Sequence, residues 1–168
     1  MSRKPDFEGK LYRALNPVWA DKPLSGDGAA THGGRFNPRG MAALYCSLGP
    51  LAALREANQV GDLQPTTLVS YNAVIARVLD ATDEAAIGKF GLTLPELAAP
   101  DWRDQMLRDG IAPTQQLAPD ALAKGYSGMV VRSFARGARD EDRNLVLWRW
   151  GPKLPNRLVL IDDENRLG

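Results

Sequence analysis

Apolar positions along the chain switch between a period of two and a period near 3.6, and each switch marks a predicted element. Lys10 to Leu15 (KLYRAL) and Met41 to Ser47 (MAALYCS) predict strands. In the second, Leu44 and Cys46 share one face, and Ala43, Tyr45 and Ser47 share the other. Gly49-Pro50 then opens a helix over LAALREANQV, with proline at a favourable first helical position. Leu51 and Leu54 mark its apolar side, Glu56 lies near its middle, and Gly61 ends it. Thr67 to Leu79 is rich in β-branched residues and predicts one strand, or two with a bend. Thr82 or Asp83 caps a short helix that stops at Gly91. Leu94 to Gly110 holds a further short helix around Trp102, Met106 and Leu107, and Thr114 to Lys124 another, closed by Gly125. Three strands follow, at Gly128 to Phe134, Asn144 to Trp150 and Arg157 to Asp162.

Strands at both ends with helices between them predict an α+β domain, without the regular alternation of a doubly wound sheet. No internal repeat or low-complexity linker divides the chain, and its 168 residues correspond to one domain. Asn16 to Arg39 is a long irregular segment, of the kind that is functional or disordered inside a compact domain. Trp19, Arg35 and Phe36 argue for function, since a merely disordered loop does not favour them.

Composition narrows the chemistry. An apolar fraction of 44% with 24% charged residues is that of a globular protein, so wholesale disorder is excluded. The formal net charge of +1 lacks the basic excess of a generic nucleic-acid binder. One cysteine, Cys46, cannot form an internal disulfide, and with one histidine, His32, it cannot build a zinc site of the usual kind. A Ser-His-Asp triad would have to use His32, which lies in a Gly-rich stretch with no nucleophile elbow nearby. No apolar run approaches the roughly 18 residues needed to span a bilayer, and MSRKPDFEGK has no signal core. A soluble, reducing, cytoplasmic setting is expected.

The richest stretch is GGRFNPRGMAALYCSLGPLAALRE, Gly33 to Glu56. Gly33 and Gly34 suit a close backbone approach or an ordinary turn. Arg35 suits a phosphate or carboxylate clamp, or solvent. Tyr45 offers a stacking face, or half-buried packing. Glu56 points into a cleft beside Tyr45 if its helix packs on the preceding strand; otherwise it is a solvated helix charge. Ser133, at a strand end, serves a site or bonds its own backbone. Together, an arginine, an aromatic face and a carboxylate suit cleavage of a nicotinamide N-glycosidic bond. The cationic nicotinamide is already a good leaving group, so the site needs to stabilise an oxocarbenium-like transition state rather than supply a metal or strong nucleophile.

Tyr12-Arg13, Gly33-Gly34-Arg35-Phe36-Asn37-Pro38 with Gly40, Leu44-Tyr45, Ala53 to Glu56, Ser133 and Asn144 to Leu147 resemble the RES domain. That family is named for its Arg, Glu and Ser and comprises toxins of bacterial RES–Xre toxin–antitoxin pairs, ParT-type and MbcT-type toxins among them. The resemblance spans about residues 11–161, so a single RES domain is expected over 1–168. It implies an ADP-ribosyltransferase-like fold of twisted, mostly antiparallel sheets flanked by helices, with NAD+ as substrate and no metal. By resemblance, Glu56 is the catalytic carboxylate, with Arg35 and Tyr45 beside it. Arg13 and Arg35 bind phosphates or ribose, Tyr45 stacks on nicotinamide, and Ser133 bonds the ligand or orients Arg35. Gly34, Phe36 and Asn144 complete the expected binding set. Phe36 stands where the family commonly has Trp, and either fills an apolar pocket. The loop ARGARDEDR, Ala135 to Arg143, is longer and more charged than the family's usual connection.

The resemblance implies an Xre-type helix-turn-helix antitoxin covering the cleft, and no direct contact of this chain with nucleic acid or membrane. Trp148 and Trp150 suit either a protein interface or buried strand packing. The charged loop, expected near the cleft, favours transfer of ADP-ribose to a protein acceptor. NAD+ hydrolysis or phosphorolysis is the second reading, and a non-enzymatic nucleotide- or protein-binding module the third.

Overall fold

The computed structural model describes residues 4–58 and 62–168. Strand β1 runs over Phe7–Leu15 and β2 over Leu44–Ser47, three residues shorter at its start than the alternation predicts. Thr67 to Leu79 divides into β3 (Thr67–Ile75) and β4 (Val78–Asp80), with the bend at Ala76-Arg77. The C-terminal strands are β5 (Gly128–Arg132), β6 (Arg143–Leu147) and β7 (Asn156–Leu160). All seven form one sheet in the order β4-β5-β6-β2-β1-β3-β7. Every neighbouring pair is antiparallel except β4 and β5. The α+β, mostly antiparallel expectation therefore holds, with one sheet in place of several.

The sheet is unevenly stitched. β1 and β3 pair through nine successive positions, whereas β1 meets β2 at Tyr12 and Ser47 alone. The two halves diverge at that seam. Alternation along the central strands builds a core on each face. Leu145 and Leu147 point into one with Leu11, Leu44, Cys46, Tyr71 and Ile75. Val146 and Trp148 point into the other, under Ile87, Leu97 and Leu117 from the helices. The split of Leu44 and Cys46 from Tyr45 follows the predicted alternation.

The segment predicted as irregular contains a 3-10 turn at Pro17–Trp19 and helix α1 at Asp27–His32. Asn16 caps the first through its side chain. Among the donors that fasten the segment to the core, three come from buried or half-buried aromatic side chains. The Tyr71 hydroxyl bonds the Pro23 carbonyl at 2.6 Å, Trp150 Nε1 the Leu24 carbonyl at 2.9 Å, and Trp148 Nε1 the Phe36 carbonyl at 3.0 Å. Both tryptophans are thus used in packing.

Helix α2 covers Pro50–Ala57 and is capped at Asn58. The predicted extension through Val60 to Gly61 lies outside the described residues. Its buried side is Ala52 and Ala53, not Leu51 and Leu54; Leu51 is 55% exposed. Small side chains let α2 approach the strands closely, which the larger leucines would prevent. Leu94 to Gly110 forms two helices, α4 (Leu94–Leu97) and α5 (Trp102–Asp109), and the others are α3 (Glu84–Gly88) and α6 (Pro113–Ala123). Among the described residues no helix is long and apolar enough to cross a membrane.

Candidate active site

Where β1 and β2 part, a cleft of about 540 Å³ opens. Arg13, Gly34, Arg35, Phe36, Tyr45, Glu56 and Asn144 line it, and Ser133 reaches it through Glu56. Residues spread over 132 positions of sequence therefore meet at one place.

Glu56 is delivered by α2 and fixed by β6 and by the residue that follows β5. Ser133 Oγ and Asn144 Nδ2 both donate to its Oε1, the latter at 2.6 Å. The β2–β6 register places Ser47 opposite Asn144. There the Ser47 hydroxyl donates to Asn144 Oδ1 at 2.7 Å, which leaves the amide donor facing the carboxylate. Ser133 thus holds Glu56; it does not orient Arg35. Asn144 has the same partner, so both residues expected to bind ligand act first as supports of the carboxylate. The reason is register: β5 pairs with β6 and β6 with β2, which brings Ser133 and Asn144 to the same carboxylate.

The Gly33–Asn37 turn forms the opposite wall. Asn37 is fully buried and donates from Nδ2 to the carbonyls of Ala29 and Met41, each at 2.9 Å. Its Oδ1 accepts from the Tyr45 hydroxyl, which itself accepts from Phe36 N at 3.0 Å. A Cβ on Gly34 would collide with that hydroxyl and with Asn37 Oδ1, so only glycine fits. Burial pushes the Tyr45 phenol well above its ordinary range. With its hydroxyl committed and neutral, Tyr45 brings the cleft lining an aromatic side chain rather than a proton. Phe36 is buried with its ring 6.3 Å from that of Phe134, which fills the expected apolar pocket.

Arg35 lies over the Phe134 ring, 5.1 Å from its centroid. Its Nη1 donates to the carbonyls of Leu97 at 3.2 Å and Ala99 at 2.7 Å. Burial lowers its basicity, Glu56 raises it, and Arg103 lowers it further; a guanidinium nonetheless stays charged at neutral pH. Arg13 donates from Nη1 to the Pro23 carbonyl at 2.9 Å. Cys46 is no nucleophile here: burial pushes its thiol up to about 12. Among the described residues no group of three or more His, Cys, Asp or Glu could hold a metal.

The sequence did not single out four contributors: Asn37, Gln115, Trp102 and Arg103. Gln115 is fully buried on α6 and donates from Nε2 to the Gly34 carbonyl at 3.0 Å. Asn37 lay in the motif but resembled any turn asparagine; the other three carry no local signal. The charged loop also departs from expectation. No residue of Ala135 to Arg143 lines the cleft. Asp142 instead pairs with Arg55 of α2 at 2.9 Å, and the loop borders a separate groove beside Leu48 and Leu51.

The RES domain family matches residues 10–166. No curated protein matches the chain. Seven chains of solved structures do. One belongs to the M. tuberculosis MbcT–MbcA toxin–antitoxin complex, with 22% identity, 94% of this chain and 84% of that one covered, and a TM-score of 0.65. That likeness confirms the fold.

Proposed function

The chain belongs to the RES domain family, and on that premise we propose that it is the toxin of a toxin–antitoxin pair that cleaves NAD+ and transfers ADP-ribose to a protein acceptor. The observation that carries the reading is Glu56, a carboxylate held by Ser133 and Asn144 in a cleft whose lining also includes guanidinium groups and aromatic rings. In this reading the nicotinamide ring stacks on Tyr45 and the arginines take the pyrophosphate. Glu56 bonds a ribose hydroxyl and stabilises positive charge as the bond from the ribose C1′ to nitrogen lengthens. The electron pair leaves with nicotinamide, which departs neutral. The acceptor adds to C1′ and loses its proton. The supports of Glu56 fix its orientation beforehand, so no reorganisation is needed as charge develops. An Xre-type antitoxin would silence the protein in the cytoplasm by covering the cleft.

A second reading has an observation of its own. Because loop 135–143 is pinned to α2 and away from the cleft, a small acceptor, water or phosphate, meets nothing from that loop. This favours NAD+ hydrolysis or phosphorolysis over the reason the sequence gives for transfer.

One assay separates them: nicotinamide release from NAD+ by the purified chain, with Glu56→Gln beside it, with and without cell lysate. Transfer requires lysate and labels a protein band; hydrolysis or phosphorolysis does not require it. Glu56→Gln is expected to lose about 10²–10³-fold in turnover while still binding NAD+, the scale of one lost transition-state contact. A folded wild type that binds NAD+ and releases no nicotinamide in either condition defeats both readings and leaves the binding module.

A further inference from the structure

Among the described residues four arginines line the cleft, Arg13, Arg35, Arg103 and Arg132, against the single carboxylate of Glu56. This is a strong local excess of positive charge in a chain whose net charge is +1. Three of the four already have partners within the protein. Arg13 bonds the Pro23 carbonyl, Arg35 the carbonyls of Leu97 and Ala99, and Arg132 the carboxylate of Asp140. Arg103 alone makes no hydrogen bond or ion pair among the described residues. It is nonetheless placed: its guanidinium lies over the Trp102 ring, 4.6 Å from the centroid. Trp102, nearly buried, lines the same cleft. Stacking on an indole face orients a guanidinium while leaving its N–H edge open, the state suited to bidentate recognition of phosphate oxygens.

We propose that Arg103, seated on Trp102, binds the pyrophosphate of the substrate and makes the cleft select a diphosphate-containing dinucleotide over a nicotinamide nucleoside. The inference rests on the NAD+ reading above for its substrate, and adds to that reading a residue on α5, far in sequence from the motif. Arg35 and Arg103 line the same cleft and repel one another, and a bound dianion relieves the repulsion. Arg35 holds the α4–α5 segment through Leu97 and Ala99, and so sets the position of the helix that carries Arg103. Arg103 is exposed and its substitution removes no buried partner, so the fold should tolerate the change.

The test is calorimetric binding of inorganic pyrophosphate, ADP-ribose and nicotinamide riboside to the full chain, its Arg103→Gln variant and its Arg103→Lys variant, with thermal unfolding to verify each fold. Arg103→Gln is expected to weaken pyrophosphate and ADP-ribose about tenfold or more, the scale of a lost charge-assisted contact. Nicotinamide riboside should bind as to wild type. Arg103→Lys should restore part of the loss, because it keeps the charge but not the planar fork. Unchanged affinities in Arg103→Gln, an equal loss for nicotinamide riboside, or failure of wild type to bind either diphosphate overturns the proposal. Nicotinamide release by wild type is read separately. Arg103-dependent diphosphate binding without release defeats the catalytic reading and leaves this one standing.

Discussion

Glu56 receives two charge-assisted hydrogen bonds on one oxygen, from residues 77 and 88 positions away. Each such bond is worth about 1.5–3 kcal/mol. Ser133→Ala and Asn144→Ala should therefore each lower kcat about tenfold to a hundredfold with little change in KM, since they misplace the carboxylate without touching the arginines proposed to hold the substrate. Steady-state nicotinamide release checks this, and a rise in KM alone would place these side chains on the substrate instead. The double variant should fall short of the product of the two losses, because both act through the same oxygen. Cys46 gives a prediction of another kind. Its thiol moves from an ordinary 9.0 to about 12 when folded. The fold keeps the thiol neutral while the unfolded chain ionises it. The stability this gives is complete below pH 9 and is lost as pH rises from there towards 12. Tyr71, pushed to about 12 by burial, adds to the loss above pH 10. Wild type should lose about 1–2 kcal/mol between pH 8 and pH 10 through this thiol. Cys46→Ala starts less stable but should lack that component, as denaturant titrations at the two pH values would register.

At the scale of elements, the Gly33–Gly34 turn depends on a helix that follows it by some eighty residues. Gln115 of α6 bonds both the Ala112 amide and the Gly34 carbonyl from a fully buried position. Gln115→Leu leaves the buried Ala112 amide without a partner and the Gly34 carbonyl with only its 3.4 Å bond from Asn37 N, and should cost about 1–3 kcal/mol, the range for one buried group left unmatched. It should also raise KM, since the turn carries Arg35; a loss of stability with KM unchanged would make Gln115 a packing residue only. Long-range contacts of this sort explain which parts of the molecule were legible in sequence. The period-two pattern of Leu44 to Ser47 placed Cys46 in a core and Tyr45 towards the cleft because alternation is a local property. Helix α1 was hidden because glycine stands at both its caps and within it, so its propensity is poor, and it is tied down by bonds from Asn37 Nδ2 and Gly40 N to its Ala29 and Ala30 carbonyls. The buried side of α2 was misassigned because close approach to a strand selects Ala52 and Ala53 over the more hydrophobic Leu51. Ser133 could be found, but its partner could not: the bond to Glu56 exists only through the β5–β6–β2 register. Arg103 and Gln115 have no local mark at all.

The whole molecule is a sheet joined across its middle by one residue pair, Tyr12 with Ser47, with the cleft at that seam. Residues of both halves face it: Arg13 from β1 on one side, Tyr45, Asn144 and α5 on the other. A dinucleotide seated there would bridge what the backbone hardly joins. Binding to the folded state alone stabilises by mass action, about 2.7 kcal/mol at a hundred times Kd. For a chain of this size each kcal/mol moves Tm by about 2–4 °C. Saturating ADP-ribose should therefore raise Tm by about 5–11 °C. A single-ended ligand such as nicotinamide at the same multiple of its own Kd should raise Tm equally, because mass action does not depend on where a ligand sits. What separates the two is the pattern of protection. ADP-ribose should slow hydrogen exchange on both sides of the seam, in β1 and in the Gly33–Phe36 turn together, whereas nicotinamide should protect only the wall that carries Tyr45. Protection confined to one side with ADP-ribose bound would mean that the ligand does not span the seam, and that the weak junction between β1 and β2 has no part in recognising it.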